Sequence, residues 1–383
     1  MKIVIAPDKF KSSLSAEEVC SAIAEGIERA GINAVVRAMP MGDGGEGTCA
    51  ILTKHAQGQW QSVETVDPLQ RPVVAQYGIS RDGSRAFIEM ASASGLQLLN
   101  MDERDPLRTS TLGTGIMIRH ALESGASEIV LGVGGSATND CGIGIASAFG
   151  YTFLDAEGEI LSPTGASLPH VGTIIPPKTG FVKSEVMVLC DVRNPLFGRD
   201  GAAYVFAPQK GADDSTVRLL DKGLMNVRNI IMRDFGVDVN FPGAGAGGGV
   251  GAGLSFFLGG RIVEGIDYVM DVVGIEHAIA DADLVISGEG KLDRQSLSGK
   301  VVSGVARVCA THKRPLLIIT GRDDLGTTAE IPGNVRVVSL TADGVSDIDA
   351  INNARQLISS KITVAINDWM VGGGKFGKTR PSG

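Results

Sequence analysis

The segment Leu284-Val-Ile-Ser-Gly-Glu-Gly-Lys-Leu-Asp293 constrains the fold most, because an apolar run of strand length stops at a glycine-flanked cluster of charge. Residues 282–286 read as a short buried strand, Gly288 and Gly290 let the backbone turn, and 301–309 resumes with helical apolar spacing. The charged loop then sits at the carboxyl end of a strand, the edge where open α/β sheets bind ligands. There Glu289 and Asp293 suit a metal ion, and Lys291 and Lys300 suit phosphate. A solvated connecting loop accounts for the same glycines equally well.

The same rhythm opens the chain. Residues 2–6 form a strand, and Ser15 caps a helix with Glu17 and Glu18 in its first turn and Val19, Ile23 and Ile27 along one face. The intervening loop sets Asp8, Lys11, Ser12 and Ser13 beside a helix amino terminus, which is anion-site chemistry. A second strand at 34–38 ends in Met41-Gly-Asp-Gly-Gly-Glu-Gly-Thr48, where the glycines exceed what a turn needs and bring Asp43 and Glu46 into one small space. Carboxylates in such loops act on phosphates through Mg²⁺.

From residue 60 the pattern changes to alternating strands at 59–66, 73–79 and 86–90, a meander that marks entry into a second domain. Arg71 either pairs with Asp67 inside a turn or binds a carboxylate ligand. Ser92 and Ser94 follow one strand end, and a hydroxyl-rich run from Thr109 to Thr114 opens a helix. The strand 128–133 runs into Gly134 and Gly135; Gly132, Gly134 and Ala137 match the loose dinucleotide pattern, without the acidic residue that should end a following strand. Strand 185–190 leads to Asp191 and Asn194, a pair suited to activating and orienting a hydroxyl, or equally an Asx turn before Pro195. The segment 242–253, with Gly245 and Gly247, reads as a close-packed turn and helix start over a nucleotide, and 214–235 as a structural amphipathic helix. After 266 the βα rhythm returns, and 372–383 reads as a frayed tail.

A chain of 383 residues is long for one core, so two domains are expected. The net charge of −8 without a basic block argues against a nucleic-acid partner. Five scattered cysteines read as reduced, buried thiols of a cytosolic protein, and the dispersed histidines argue against zinc. No run approaches the ~20 apolar residues of a membrane span, so a soluble, cytoplasmic protein is expected.

Taken together, residues 5–15, 43–48, 109–115, 134–140, 190–196, 208–212, 242–254 and 287–293 resemble the bacterial glycerate kinases of the glyoxylate and glucarate utilisation type, from Lys2 to about Met370. The resemblance implies a two-domain α/β fold: a Rossmann-like parallel-sheet domain (1–60 plus 275–370) with a mixed α/β domain (61–274) inserted in it, the active site in the cleft, and 371–383 as a disordered or frayed tail. It implies ATP-dependent phosphorylation of D-glycerate with Mg²⁺, at the 2-hydroxyl to give 2-phosphoglycerate and ADP, or alternatively at the 3-hydroxyl. On that reading Asp191 is the general base, with Lys11 and Asp43 also catalytic. Asn194, Arg71, Ser92 and Ser94 contact substrate, and Lys291, Lys300, Ser12, Ser13, Gly134, Gly135, Gly245 and Gly247 contact nucleotide or phosphate. Glu46, Glu289 and Asp293 hold the metal. The chain admits a homodimer. An NAD(P)-linked oxidoreductase and a non-catalytic organic-acid binder are the rival expectations.

Overall fold

Continuous apolar runs such as Leu284-Val-Ile and Leu316-Leu-Ile-Ile become parallel strands buried on both faces, and alternating runs become an antiparallel edge. The computed structural model of the protein describes residues 1–178, 184–297, 299–325 and 331–374. In chain order its strands are β1 (Lys2–Ile5), β2 (Val35–Ala38), β3 (Gln59–Val66), β4 (Pro72–Ile79), β5 (Arg85–Glu89), β6 (Glu128–Gly132), β7 (Thr152–Leu154), β8 (Thr173–Ile175), β9 (Glu185–Leu189), β10 (Arg261–Val263), β11 (Leu284–Leu292), β12 (Leu316–Asp323) and β13 (Val335–Ser339). The chain divides into two units, Met1–Asp43 with Ile266–Gly383, and Gly44–Gly265.

The first unit is built on a parallel sheet of order β13-β12-β11-β1-β2. The chain leaves β1 toward β2 on one side and β11 toward β12 and β13 on the other, so the order reverses between β1 and β11, the position at which open parallel sheets bind ligands. Ser15 caps the helix Ala16–Arg29, and Glu18 closes a capping box. That helix packs on Ala354–Val371, and a Cβ on Gly26 would stand 2.6 Å from the Ser359 carbonyl. Ile3, Ile5, Ile23, Ile286, Leu317, Ile319 and Ile358 fill this core.

The second unit carries a mixed sheet of order β10-β9-β6-β5-β4-β3, parallel from β10 to β5 and antiparallel from β5 to β3, plus the hairpin of β7 and β8. The first three meander strands form as expected, but β5 also pairs parallel with β6, Glu89 opposite Gly132.

Three expectations are corrected. The unit boundaries fall at 43/44 and 265/266, not 60/61 and 274/275, because the helix Thr48–His55 belongs to the mixed sheet: a Cβ on Gly78 would lie 1.7 Å from Thr53 Oγ1. At the other boundary Ile266 and Met270 pack on Gly304 of the first unit. The charged stretch after Ile286 is not a loop, since β11 continues to Leu292 with Glu289 paired to Thr320 and Lys291 to Arg322. Gly288 serves this pairing rather than a turn, as a Cβ there would stand 2.2 Å from the Ile319 carbonyl. Of the expected tail, Val371 still ends a helix and 375–383 lie outside the described residues.

The glycine-dense segment starts the helix Ala246–Phe257 with Gly247, Gly248 and Gly249 at positive φ. A Cβ on Gly248 would stand 2.1 Å from the Thr138 carbonyl, at φ +77°. Gly248→Ala is therefore expected to destabilise the chain by about 3 kcal/mol or more in urea unfolding. A loss under about 1 kcal/mol would contradict this packing.

Candidate active site

In the first unit three strand ends are stitched together. Ala6 N donates to the Ile286 carbonyl at 2.8 Å, Asp8 N to the Gly288 carbonyl at 2.8 Å, and Met41 N to the Pro7 carbonyl at 2.9 Å. Ser287 Oγ donates to the Ala6 carbonyl at 2.7 Å. The stitching gathers Asp8, Asp43, Glu289, Asp293 and Lys300 into one electrostatic group. Burial, then the Asp43 charge, pushes the Asp8 carboxyl up to about 7, with Lys9 and Lys300 opposing. Burial also pushes Glu289 up to about 7, reinforced by Asp8 and Asp293 and opposed by Ser296 and Lys300. Glu289 Oε1 is buried and has no hydrogen-bond partner among the described residues.

The other residues expected here have mixed fates. Lys291 is half exposed and pairs with Asp324 at 3.1 Å and Asp293 at 3.5 Å. Asp293 accepts from Ser296 N at 3.3 Å, so it braces a short 3-10 turn as well as facing Lys291. Lys300 precedes the helix Val301–Thr311 and lowers both raised acids. Lys11 and Ser12 are exposed, Ser12 with φ 64°. Ser13 Oγ is committed to the Ile351 carbonyl at 2.7 Å, which anchors the loop.

In the second unit the strand ends of β5, β6, β9 and β10 share one edge. Asp191 follows β9, and its Oδ1 accepts from Gly265 N, just past β10, at 2.8 Å. Asn194 donates its side-chain N–H to the Asp200 carbonyl at 2.8 Å. Glu89, which ends β5, accepts from Gly47 N at 2.7 Å and Cys49 N at 3.3 Å at the start of the helix Thr48–His55. After β6, Asp140 is fully buried and accepts from Thr111 N and Oγ1 and from Gly142 N and Gly144 N, serving the starts of two helices. Lys210 is 2% exposed, and its Nζ donates to Ser136 Oγ at 2.9 Å and to the Thr138 carbonyl at 2.6 Å. Burial pulls its ammonium down to about 7, against the Asp140 charge.

Several expected contacts resolve into packing. Arg71 is held by Asp67 at 2.6 Å and Glu103 at 2.5 Å, the turn ion pair rather than an open carboxylate receptor. Ser94 is buried and hydrogen-bonded to Thr114 Oγ1 at 2.7 Å, whereas Ser92 is half-buried. A Cβ on Gly134 would lie 3.1 Å from Gly45 Cα, so that glycine admits the neighbouring loop; Gly135 is exposed at φ +69°. Gly245 is spaced by the Pro195 carbonyl, 2.4 Å from a Cβ there, and Gly247 by Val250, Met90 and Val133. Glu46 is exposed and belongs to the second unit. No three His, Cys, Asp or Glu among the described residues stand together as a metal-ligand group.

Glu89, Ser136, Asp140 and Lys210 were not read as site residues from sequence. Glu89 had the signal that singled out Asp191, a carboxylate closing an apolar strand. Lys210 had no comparable signal, since Asp213 and Asp214 follow three and four residues on.

Because Asp8 and Glu289 hold protons more tightly in the folded chain, their contribution to stability is full below the ordinary carboxylate range and is lost as pH rises toward about 7. Asp8→Asn is expected to be more stable than wild type at about pH 8, with the advantage shrinking toward about pH 5. Melting temperatures of both proteins across that range check this, and a difference independent of pH would contradict it.

A family model described as the glycerate kinase family matches residues 3–370. The chain is 44% identical to the glycerate 2-kinase of Escherichia coli (strain K12) over 333 residues, 85% of this chain and 87% of that one. It is also 44% identical to the glycerate kinase of Halalkalibacterium halodurans over 324 residues, 83% and 85% of the two chains. A crystal structure from Salmonella typhimurium LT2, provisionally assigned as a glycerate kinase 2, superposes with a TM-score of 0.84 at 41% identity, covering 97% of this chain and 99% of that one. No helix among the described residues is long and apolar enough to cross a membrane, and all five cysteines are buried thiols. Fold, strand-end chemistry and similarity agree: the chain belongs to the glycerate kinase family.

Proposed function

We propose that the chain transfers the γ-phosphoryl group of ATP to the 2-hydroxyl of D-glycerate, giving 2-phosphoglycerate and ADP in the cytoplasm. The observation that carries this reading is the 44% identity, over 85% of the chain, to a glycerate 2-kinase, joined to acidic and lysine side chains at the carboxyl ends of parallel strands. Phosphoryl transfer asks a protein for positioning, charge neutralisation and a place for one proton.

In the second unit Asp191 is the proposed general base. Its Oδ1 is oriented by the Gly265 amide, and it would take the hydroxyl proton as the new O–P bond forms and the β,γ P–O bond breaks, the electron pair leaving on ADP. Asn194, fixed through Asp200, orients the acceptor. Arg71 is left out of the substrate contacts because two carboxylates already hold it.

In the first unit Lys300 and Lys11 are the proposed phosphate contacts, with Lys291 reaching them on exchange from Asp324. Mg²⁺ needs only one or two carboxylates when phosphates and water complete its shell. Asp8 and Glu289 fit that requirement: both are desolvated, the Asp8 charge raises Glu289, and Glu289 keeps a buried oxygen without a protein donor among the described residues. Asp43 and Asp293 flank them. The bound ion would supply charge neutralisation on the phosphates.

The reading is tested by ADP release from Mg-ATP with and without D-glycerate; release that ignores glycerate would contradict it. Within it, Asp191→Asn is expected to lose at least about a hundredfold in kcat with an unchanged melting temperature. Turnover close to wild type would remove Asp191 from the role of base.

A further inference from the structure

Lys210 and Ser136 enter none of the roles above, yet their geometry fixes the polarity of one hydrogen bond. While Lys210 carries its proton, its ammonium has three N–H donors and no acceptor, so Ser136 Oγ, 2.9 Å from Lys210 Nζ, accepts from it. The Ser136 hydroxyl proton therefore points elsewhere, and among the described residues no acceptor takes it. Ser136 is 7% exposed, whereas Thr138 and Asn139 are fully buried, and it directly follows the exposed Gly135. Ser136 thus lies next to an exposed residue at the β6 end of the same sheet edge that carries Asp191.

The loop around it is rigidly tied. Ala137 N donates to the Ser94 carbonyl at 2.8 Å, Thr109 Oγ1 to the Ala137 carbonyl at 3.0 Å, and Cys141 N to the Gly248 carbonyl at 3.1 Å. Packing alone does not call for a lysine beneath this loop. A methionine of similar length would fill the space without a buried charge, and no carboxylate among the described residues stands within ion-pair distance of Lys210. A charge-assisted bond to Oγ strengthens whatever bond the hydroxyl itself donates.

We propose that Ser136 donates its hydroxyl proton to an anionic oxygen of the reactants, the carboxylate of the hydroxy acid or a phosphate of the nucleotide, and that Lys210 is the positioning residue that sets this donor. The inference rests on the kinase reading and names residues that recognise its anions. Steady-state kcat and KM for D-glycerate and for ATP are measured for wild type, Ser136→Ala, Ser136→Thr, Lys210→Met and the double variant Ser136→Ala with Lys210→Met.

Each removal is expected to lower kcat/KM by about tenfold to a hundredfold, the range of one hydrogen bond to a charged group. Ser136→Thr, which keeps the hydroxyl, is expected to recover most of it. Since Lys210 acts through Ser136, the double variant is expected to be no worse than the poorer single variant. A rise in the KM for glycerate identifies the carboxylate as the acceptor, and a rise in the KM for ATP identifies phosphate. Should Lys210→Met fail to melt cooperatively, the Ser136→Ala and Ser136→Thr pair decides the matter. An unaffected Ser136→Ala in an active enzyme, or losses that multiply in the double variant, would overturn the inference alone. A wild-type chain without glycerate-dependent turnover would overturn the kinase reading and the inference together.

Discussion

A charged group withdrawn from water at the end of a buried strand has three ways to be accommodated: hydrogen-bond donors, an opposite charge, or a change of protonation. Both sheets of this chain end in such groups, and each resolves the problem differently. Asp140 is met by two helix starts and so is a structural anchor. Burial pushes the Asp8 and Glu289 carboxyls up to about 7, and a bound cation would compensate them. Asp191 is oriented through one oxygen by a backbone amide, and Lys210 projects its charge into a loop through Ser136. What separates scaffold from chemistry here is how completely each group is satisfied.

The glycines make those arrangements possible. Gly288 and Gly321 let β11 and β12 keep pairing past the point where side chains would force them apart, so Glu289 and Lys291 ride on a strand. Gly245, Gly248 and Gly253 let the 242–253 segment press directly on the 138–142 and 194–195 backbones. The density of glycine at these places is a record of backbone meeting backbone. A rigid loop built this way holds Ser136 and Asn194 without spending rotamer freedom at the moment of binding.

Much of this was legible in the sequence, for physical reasons. Apolar runs of four or five residues with abrupt charged ends marked the parallel strands, and Ser15 with Glu18 marked the first helix. The hydroxyls from Thr109 to Thr114 exceeded capping needs, and the structure shows why: they are buried, with Thr109 donating to the Ala137 carbonyl, Thr111 to Asp140 and Thr114 to the Met90 carbonyl. What sequence could not carry was partnership at long range. Arg71 had two readings until Glu103, 32 residues away, closed on it. Ser13 looked like a phosphate donor until Ile351 supplied its acceptor. Lys210 was given no role, because nothing local to 208–212 announces that Ser136 and Thr138 are its acceptors. The domain boundary near 60 was misplaced for the same reason, since only tertiary contact shows which sheet the helix Thr48–His55 covers.

On the proposed reading this chain places a phosphoryl group on the secondary hydroxyl of glycerate. The phosphorus NMR spectrum of the product, recorded without proton decoupling after incubation of the purified chain with Mg-ATP and D-glycerate, tests it most directly. A phosphomonoester on a carbon bearing one hydrogen gives a doublet, appearing only when glycerate is present and growing in step with ADP. A triplet, from a phosphate on the terminal CH₂, would contradict the 2-hydroxyl assignment, and the absence of any new phosphomonoester would contradict the account as a whole.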